Sequence, residues 1–151
     1  MTVHWCGAGL SAIPGLRRLI KNGYDVVVWN RTVDKANAAV GDITNNIRLF
    51  DKSSLQDCLE ENDIVVSMLP ADWHVPLASL AILKKAHFVS SSYIAPEMRI
   101  LDSEFKKTNR VCINEVGLDP GIDHLMAHKL VSDYRQSKEY NIKNELSFLS
   151  Y

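Results

Sequence analysis

The 151-residue chain is long enough for one ordinary domain whose core needs neither disulfides nor a structural metal. Its 17 Lys and Arg against 18 Asp and Glu leave a net charge of −1, so no basic excess points to nucleic acid or an anionic membrane. Cys6, Cys58 and Cys112 are spaced like neither a disulfide framework nor a zinc knuckle, no apolar stretch approaches the ~18 residues of a membrane span, and no basic leader precedes the first apolar run. A soluble, cytoplasmic protein with reduced thiols is the expectation.

Short β-branched runs alternate with segments of helical period. Strands are predicted at 2–6, 24–29, 47–50, 63–68, 87–91 and 110–115. Helices are predicted near 11–22, 33–40, 53–60, 73–85, 96–108 and 121–136. The runs Val26-Val27-Val28 and Ile64-Val65-Val66 lack polar alternation, as strands covered by helices on both faces do. The pattern therefore predicts an α/β, Rossmann-type doubly wound parallel sheet in the order 3-2-1-4-5-6, with its ligand crevice at the carboxyl ends of strands 1 and 4. Residues 1–136 form that domain in this reading. Residues 137–151 read as a polar linker followed by the alternating segment ELSFLSY, the first strand of a second domain or one that pairs with another copy of the chain.

Directly after the first strand comes Gly7-Ala8-Gly9-Leu10-Ser11-Ala12, a dinucleotide fingerprint with Ala in the third small position. Gly7 would make the tight turn, Gly9 would let the backbone approach a pyrophosphate, and Ala12 would let helix and strand pack closely. The exposed amides and the helix dipole favour an anion there. A tight strand-to-helix turn without a ligand would share much of this composition. Pro14 suits the first turn of the helix.

The second strand ends Trp29-Asn30-Arg31-Thr32. An acid at this point would bind a free ribose 2′-hydroxyl, whereas Arg suits a 2′-phosphate. Asn30 stands in place of the acid and Arg31 offers a fork of donors, with Thr32 and Lys35 nearby, which favours NADP over NAD. Strand 4 runs into Leu69-Pro70, with His74 opening the next helix, and strand 5 runs into Ser90-Ser91-Ser92-Tyr93. Both ends lie on the crevice edge, where Leu69 and Pro70 would border the cofactor and the hydroxyls would meet polar ligand groups, although such residues also serve in ordinary loop capping. In GLDPG, Asp119 suits a helix N-cap, Pro120 the first helical position and Gly117 the turn out of strand 6.

The motifs GAGLSAIP, WNRT, VVSMLPADWH, VSSSYIAPEMRILD and NEVGLDPGIDH, in this order, resemble the N-terminal dinucleotide-binding part of the saccharopine dehydrogenases, NADP-dependent and L-glutamate-forming. The similarity covers nearly all of residues 2–130. It implies an oxidoreductase of lysine metabolism and amino-acid biosynthesis that interconverts saccharopine with glutamate plus 2-aminoadipate 6-semialdehyde. It further implies that the glycine loop and the WNRT positions hold NADP, and that Ser91, Ser92, Tyr93 and Asp119 lie by the nicotinamide and the substrate. Asp119 is then the leading general acid or base, with Tyr93 and His74 behind it. No metal is implied, and His124 with His128, four apart on a helix, lacks a further ligand group. Alternatives are another NADP-dependent C=N reductase of amino-acid or polyamine metabolism and a non-catalytic nucleotide-sensing module. Beyond the cofactor site, residues 1–151 show no clear set of arginines or lysines for the three carboxylates of saccharopine, so the chain by itself is expected to turn over saccharopine poorly or not at all.

Overall fold

The computed structural model of the protein describes residues 1–147 and 149. Its strands are β1 (Val3–Cys6), β2 (Val26–Asn30), β3 (Ile47–Leu49), β4 (Ile64–Ser67), β5 (His87–Ser90) and β6 (Cys112–Ile113). They form one parallel sheet in the order β3-β2-β1-β4-β5-β6, the order the alternating pattern predicts. The helices are α1 (Ile13–Lys21), α2 (Val33–Val40), α3 (Lys52–Cys58), α4 (His74–Leu83), α5 (Pro96–Ile100), α6 (Asp102–Lys107) and α7 (Ile122–Gln136), with a 3₁₀ turn at Ala71–Trp73 leading into α4.

Successive side chains of a strand point to opposite faces, and the core accordingly divides in two. Val3, Trp5, Val26, Val28 and Val66 pack with Leu16 of α1 and Ala36, Ala39 and Val40 of α2. On the other face Cys6, Val27, Trp29, Val65 and Phe88 pack with Leu55 of α3, Leu77, Ala78, Leu80 and Ala81 of α4, Met98 of α5 and Phe105 of α6. Burying each of the larger of these side chains contributes about 1.5–3 kcal/mol. The runs Val26-Val27-Val28 of β2 and Ile64-Val65-Val66 of β4 are apolar on both faces because each face has a helical layer to bury it.

Register puts the strand ends level: Cys6 pairs with Trp29 and with Ser67, and Ser67 pairs with Ser90. Gly7, Asn30, Met68 and Ser91 therefore leave the sheet along one carboxyl edge.

Three local features depart from the sequence reading. The first helix begins at Ile13 rather than 11, because Ala12 and Ile13 both donate to the Gly9 carbonyl and close a turn before the helix proper. The helix expected over 96–108 is two pieces that meet at Leu101. Asp119 does not cap α7. Gly121 precedes that helix, with a φ of +144°, and its N–H donates to Asp123 Oδ1 at 3.0 Å. A Cβ on Gly121 would overlap the Gly117 carbonyl oxygen, which explains the glycine at that position. After α7 the described residues 137–147 and 149 form no regular helix or strand, and Phe148, Ser150 and Tyr151 of the expected terminal strand lie outside the described residues. Among the described residues no helix is long and apolar enough to cross a membrane.

Candidate functional site

The loop between β1 and α1 forms the floor of a cleft at the carboxyl ends of β1, β2 and β4. Gly7 has a φ of +105°, and a Cβ there would lie 2.6 Å from the Met68 carbonyl oxygen, so the turn tolerates only glycine without rearrangement. Its N–H donates to the Trp29 carbonyl at 2.8 Å, which ties the loop to the end of β2. Gly9 differs: a Cβ on it would meet no protein atom within 4 Å. Packing does not require that glycine, whereas a ligand lying against the backbone would. Ala12 is buried between α1 and the sheet, in the small-residue role expected of it.

Asn30 holds the opposite wall. Its Oδ1 accepts from the Ala8 N–H at 3.1 Å and its Nδ2 donates to the Thr32 carbonyl at 2.8 Å. The amide thereby joins the glycine loop to the turn after β2 and leaves Arg31, exposed, at the cleft mouth. Gly7, Ala8, Gly9, Asn30, Arg31, Leu69 and Pro70, all expected at a cofactor site, line one cleft of about 440 Å³. Leu10 and Ser11 lie exposed outside that lining, as does Thr32.

The sequence reading missed part of the wall. Phe50, Asp51 and Lys52 also line the cleft, because the end of β3 reaches the same edge, and Met68 and Trp73 join them from the segment after β4. The signal was present in Phe50-Asp51-Lys52, a strand end followed directly by a helix. Phe50 and Trp73 meet edge to face with centroids 5.0 Å apart, giving an apolar end suited to a flat ring. Asp51 caps α3 by accepting from the Ser54 N–H at 2.8 Å, and that bond holds its carboxyl below the usual range. Lys52 adds a second cation beside Arg31.

Farther along the edge, the loops after β5 and β6 are laced together. Ser90, fully buried, donates to Asn114 Oδ1 at 2.9 Å, and the Glu115 N–H donates to the Ser92 carbonyl at 3.1 Å. Ser91 packs against Gly117, where a glycine Cβ would stand 3.3 Å from the serine Cβ. The Tyr93 hydroxyl donates to Asp119 Oδ1. This bond, which favours the neutral phenol, pushes the Tyr93 pKa up to about 12. Both residues are exposed, so the pair faces solvent. His74 is buried, with Nδ1 2.9 Å from Ser67 Oγ and Nε2 2.7 Å from Ser92 Oγ. His124 lies edge-on to Tyr93 with centroids 6.4 Å apart, and its hydrogen bond to Asp123 raises its pKa. Asp119, Asp123 and His124 bring their ligand atoms within 4.8 Å of one another, with Asp119 and His124 exposed and Asp123 partly buried. His128 is not among them.

Residues 3–113 match the family described as "Saccharopine dehydrogenase NADP binding domain". The chain belongs to that family. Saccharopine dehydrogenase [NADP(+), L-glutamate-forming] of Saccharomyces cerevisiae is 37% identical over 149 residues, covering 96% of this chain and 32% of that protein. The Schizosaccharomyces pombe enzyme of the same name is 33% identical over 150 residues, again 96% of this chain and 32% of the relative. The apo, histidine-tagged yeast enzyme superposes with a TM-score of 0.76 at 35% identity, covering 89% of this chain and 31% of that one. The chain therefore spans about a third of the length of the curated relatives it matches.

Proposed function

We propose that this chain is the cofactor-binding part of an NADP-dependent oxidoreductase acting on the CH–NH group of saccharopine. The observation that carries the reading is the contrast within the glycine loop. Gly7 is required by the fold, but Gly9 is required by nothing in the protein and borders a cleft flanked by Arg31 and Lys52. A pyrophosphate against Gly9 and the loop amides, with a 2′-phosphate met by Arg31, fits that contrast. Phe50, Leu69, Pro70 and Trp73 offer the apolar contacts for the adenine.

In the reaction proposed, a hydride leaves the carbon of the secondary amine for NADP as the amine proton is lost. Water then splits the imine into glutamate and 2-aminoadipate 6-semialdehyde, and the reverse direction follows the same path. Accepting the hydride is the cofactor's chemistry. The roles left to this chain are orientation and proton handling. Ser91 and Ser92 supply hydroxyls beside the reacting groups. Asp119 takes or returns the amine proton at a carboxylate oxygen, and Tyr93 steadies that carboxylate by donating to it. In this reading residues 1–136 are the dinucleotide-binding domain and 137–151 lead into a substrate domain that supplies the carboxylate-binding cations. Three unpaired thiols, Cys6, Cys58 and Cys112, suit a cytoplasmic setting.

The 151-residue chain mixed with NADP and saccharopine tests the division of labour. Binding of the cofactor with little or no NADPH formation is the expected result. Steady turnover would overturn the assignment of carboxylate binding to the region beyond residue 136.

A further inference from the structure

Ser67, His74 and Ser92 form a polar chain through the protein that the glycine-loop cleft does not use. Ser67 ends β4 with 0% exposure, and His74, at the first position of α4, is 6% exposed. Ser92, in the loop after β5, is only half-buried, so the chain runs from the core to the carboxyl edge. Two spacings define it, 2.9 Å from Ser67 Oγ to His74 Nδ1 and 2.7 Å from His74 Nε2 to Ser92 Oγ.

A neutral imidazole has one donor and one acceptor nitrogen, so two polarities are open to such a chain. The buried end decides between them. Among the described residues the partner of Ser67 Oγ is His74 Nδ1. If Nδ1 carried the proton, Ser67 would accept from it and its own hydroxyl proton would be buried without an acceptor, which disfavours that tautomer by at least roughly fivefold in population. If Ser67 donates instead, no buried group is left over. His74 then carries its proton on Nε2 and donates to Ser92 Oγ. Ser92, having accepted, keeps its own proton for something outside the chain.

We propose that Ser67 and His74 are positioning residues that commit the Ser92 hydroxyl to donating, so that it recognises an acceptor oxygen of a carboxamide or carboxylate at the carboxyl edge of the sheet. Burial lowers the His74 pKa, which keeps the ring neutral and able to accept from Ser67. The assignment rests on the dinucleotide-binding reading for the source of that oxygen, either the nicotinamide carboxamide or a substrate carboxylate. The polarity itself rests on burial alone.

Two measurements test it. Long-range proton–nitrogen correlation of the unliganded 151-residue protein should show His74 as the Nε2–H tautomer, with Nδ1 an unprotonated, hydrogen-bonded acceptor. An Nδ1–H ring overturns the proposal whatever the protein binds. The second compares NADPH and 2′,5′-ADP binding to the 151-residue protein, and glutamate binding to a longer protein carrying the substrate region, each unsubstituted and as Ser67→Ala. Removing the bias leaves about half of the rings in the donating polarity, so a loss of up to about twofold for NADPH with 2′,5′-ADP unchanged assigns the oxygen to the carboxamide, and a loss for glutamate alone assigns it to a carboxylate. Unchanged affinity for both NADPH and glutamate overturns the proposal. If the unsubstituted protein binds neither NADPH nor 2′,5′-ADP, the dinucleotide-binding reading fails, while the tautomer still decides the polarity of the chain.

Discussion

Adding one methyl group at each of the first two glycines of the loop should give opposite outcomes. In Gly7→Ala the new Cβ would lie 2.6 Å from the Met68 carbonyl oxygen and 2.9 Å from its carbon, both backbone, at a φ of +105° that an L-residue rarely adopts. Strain of this kind costs on the order of 1–3 kcal/mol and forced backbone movement about 1–3 more, so a loss of roughly 2–6 kcal/mol is expected. For a chain of this size that lowers Tm by about 4–24 °C. In Gly9→Ala the Cβ meets nothing within 4 Å. Stability should stay within about 0.5 kcal/mol and Tm within about 2 °C. The same methyl occupies the space assigned to the pyrophosphate, so NADPH affinity should fall at least about tenfold. Thermal melts and an NADPH titration followed by Trp73 fluorescence read both quantities, since Trp73 lines the cleft. A Gly9→Ala protein that binds NADPH like the unsubstituted chain would refute the assignment of the loop, and an equal loss of stability in both variants would refute the geometric contrast.

His4 is buried beside Asp63, with Nε2 3.3 Å from Oδ2, and its Nδ1 accepts from the Trp29 indole at 3.1 Å. Burial lowers the pKa of His4, as it does that of His74, so each binds a proton more readily once unfolded. Their contribution is fully present above the unfolded value of about 6.5 and is lost as pH falls below it toward the lower folded pKa. Urea unfolding at pH 7.5 and pH 5 should show the drop, and a midpoint that holds steady or rises on acidification contradicts it. Asp119→Asn removes the carboxylate that Tyr93 donates to, so an ultraviolet phenolate titration should find that tyrosine ionising below about 12, with Tm unchanged because the pair is exposed. An unaltered titration would mean that Asp119 does not set the state of Tyr93. In a longer protein carrying the substrate region, the same variant should impair saccharopine use, and full activity would leave Asp119 no role in proton transfer.

The sheet was legible because its signals are local. Val26-Val27-Val28 and Ile64-Val65-Val66 are apolar on every residue, which only a doubly covered sheet rewards, and the strand order follows from that. The glycine loop was legible for the same reason: turn, backbone approach and helix packing fall within six consecutive residues, Gly7 to Ala12. Contacts between distant segments were not. Asp119 reads as an N-cap because Asp-Pro before an apolar helical run has that composition, yet the turn closes through Gly117 and Gly121 and frees the carboxylate to accept from Tyr93, 26 residues earlier. The Ser67-His74-Ser92 chain needs three elements to be in register, and no single segment announces it. The cleft wall at Phe50-Asp51-Lys52 is a contact of the same kind, since it follows from the pairing of β3 with β2. Asn30 stands where an acid would suit NAD, and its side chain proves to fasten the loop to the β2 turn.

The central claim, that this domain holds a 2′-phosphorylated dinucleotide against Gly9 and Arg31, is tested most directly by titrating NADPH and NADH into the unsubstituted chain and into Arg31→Ala. A charge-assisted contact to the extra phosphate should make NADPH bind at least about tenfold more tightly than NADH, and Arg31→Ala should bring the two to within about threefold of each other. Equal binding of NADPH and NADH by the unsubstituted chain would contradict the account.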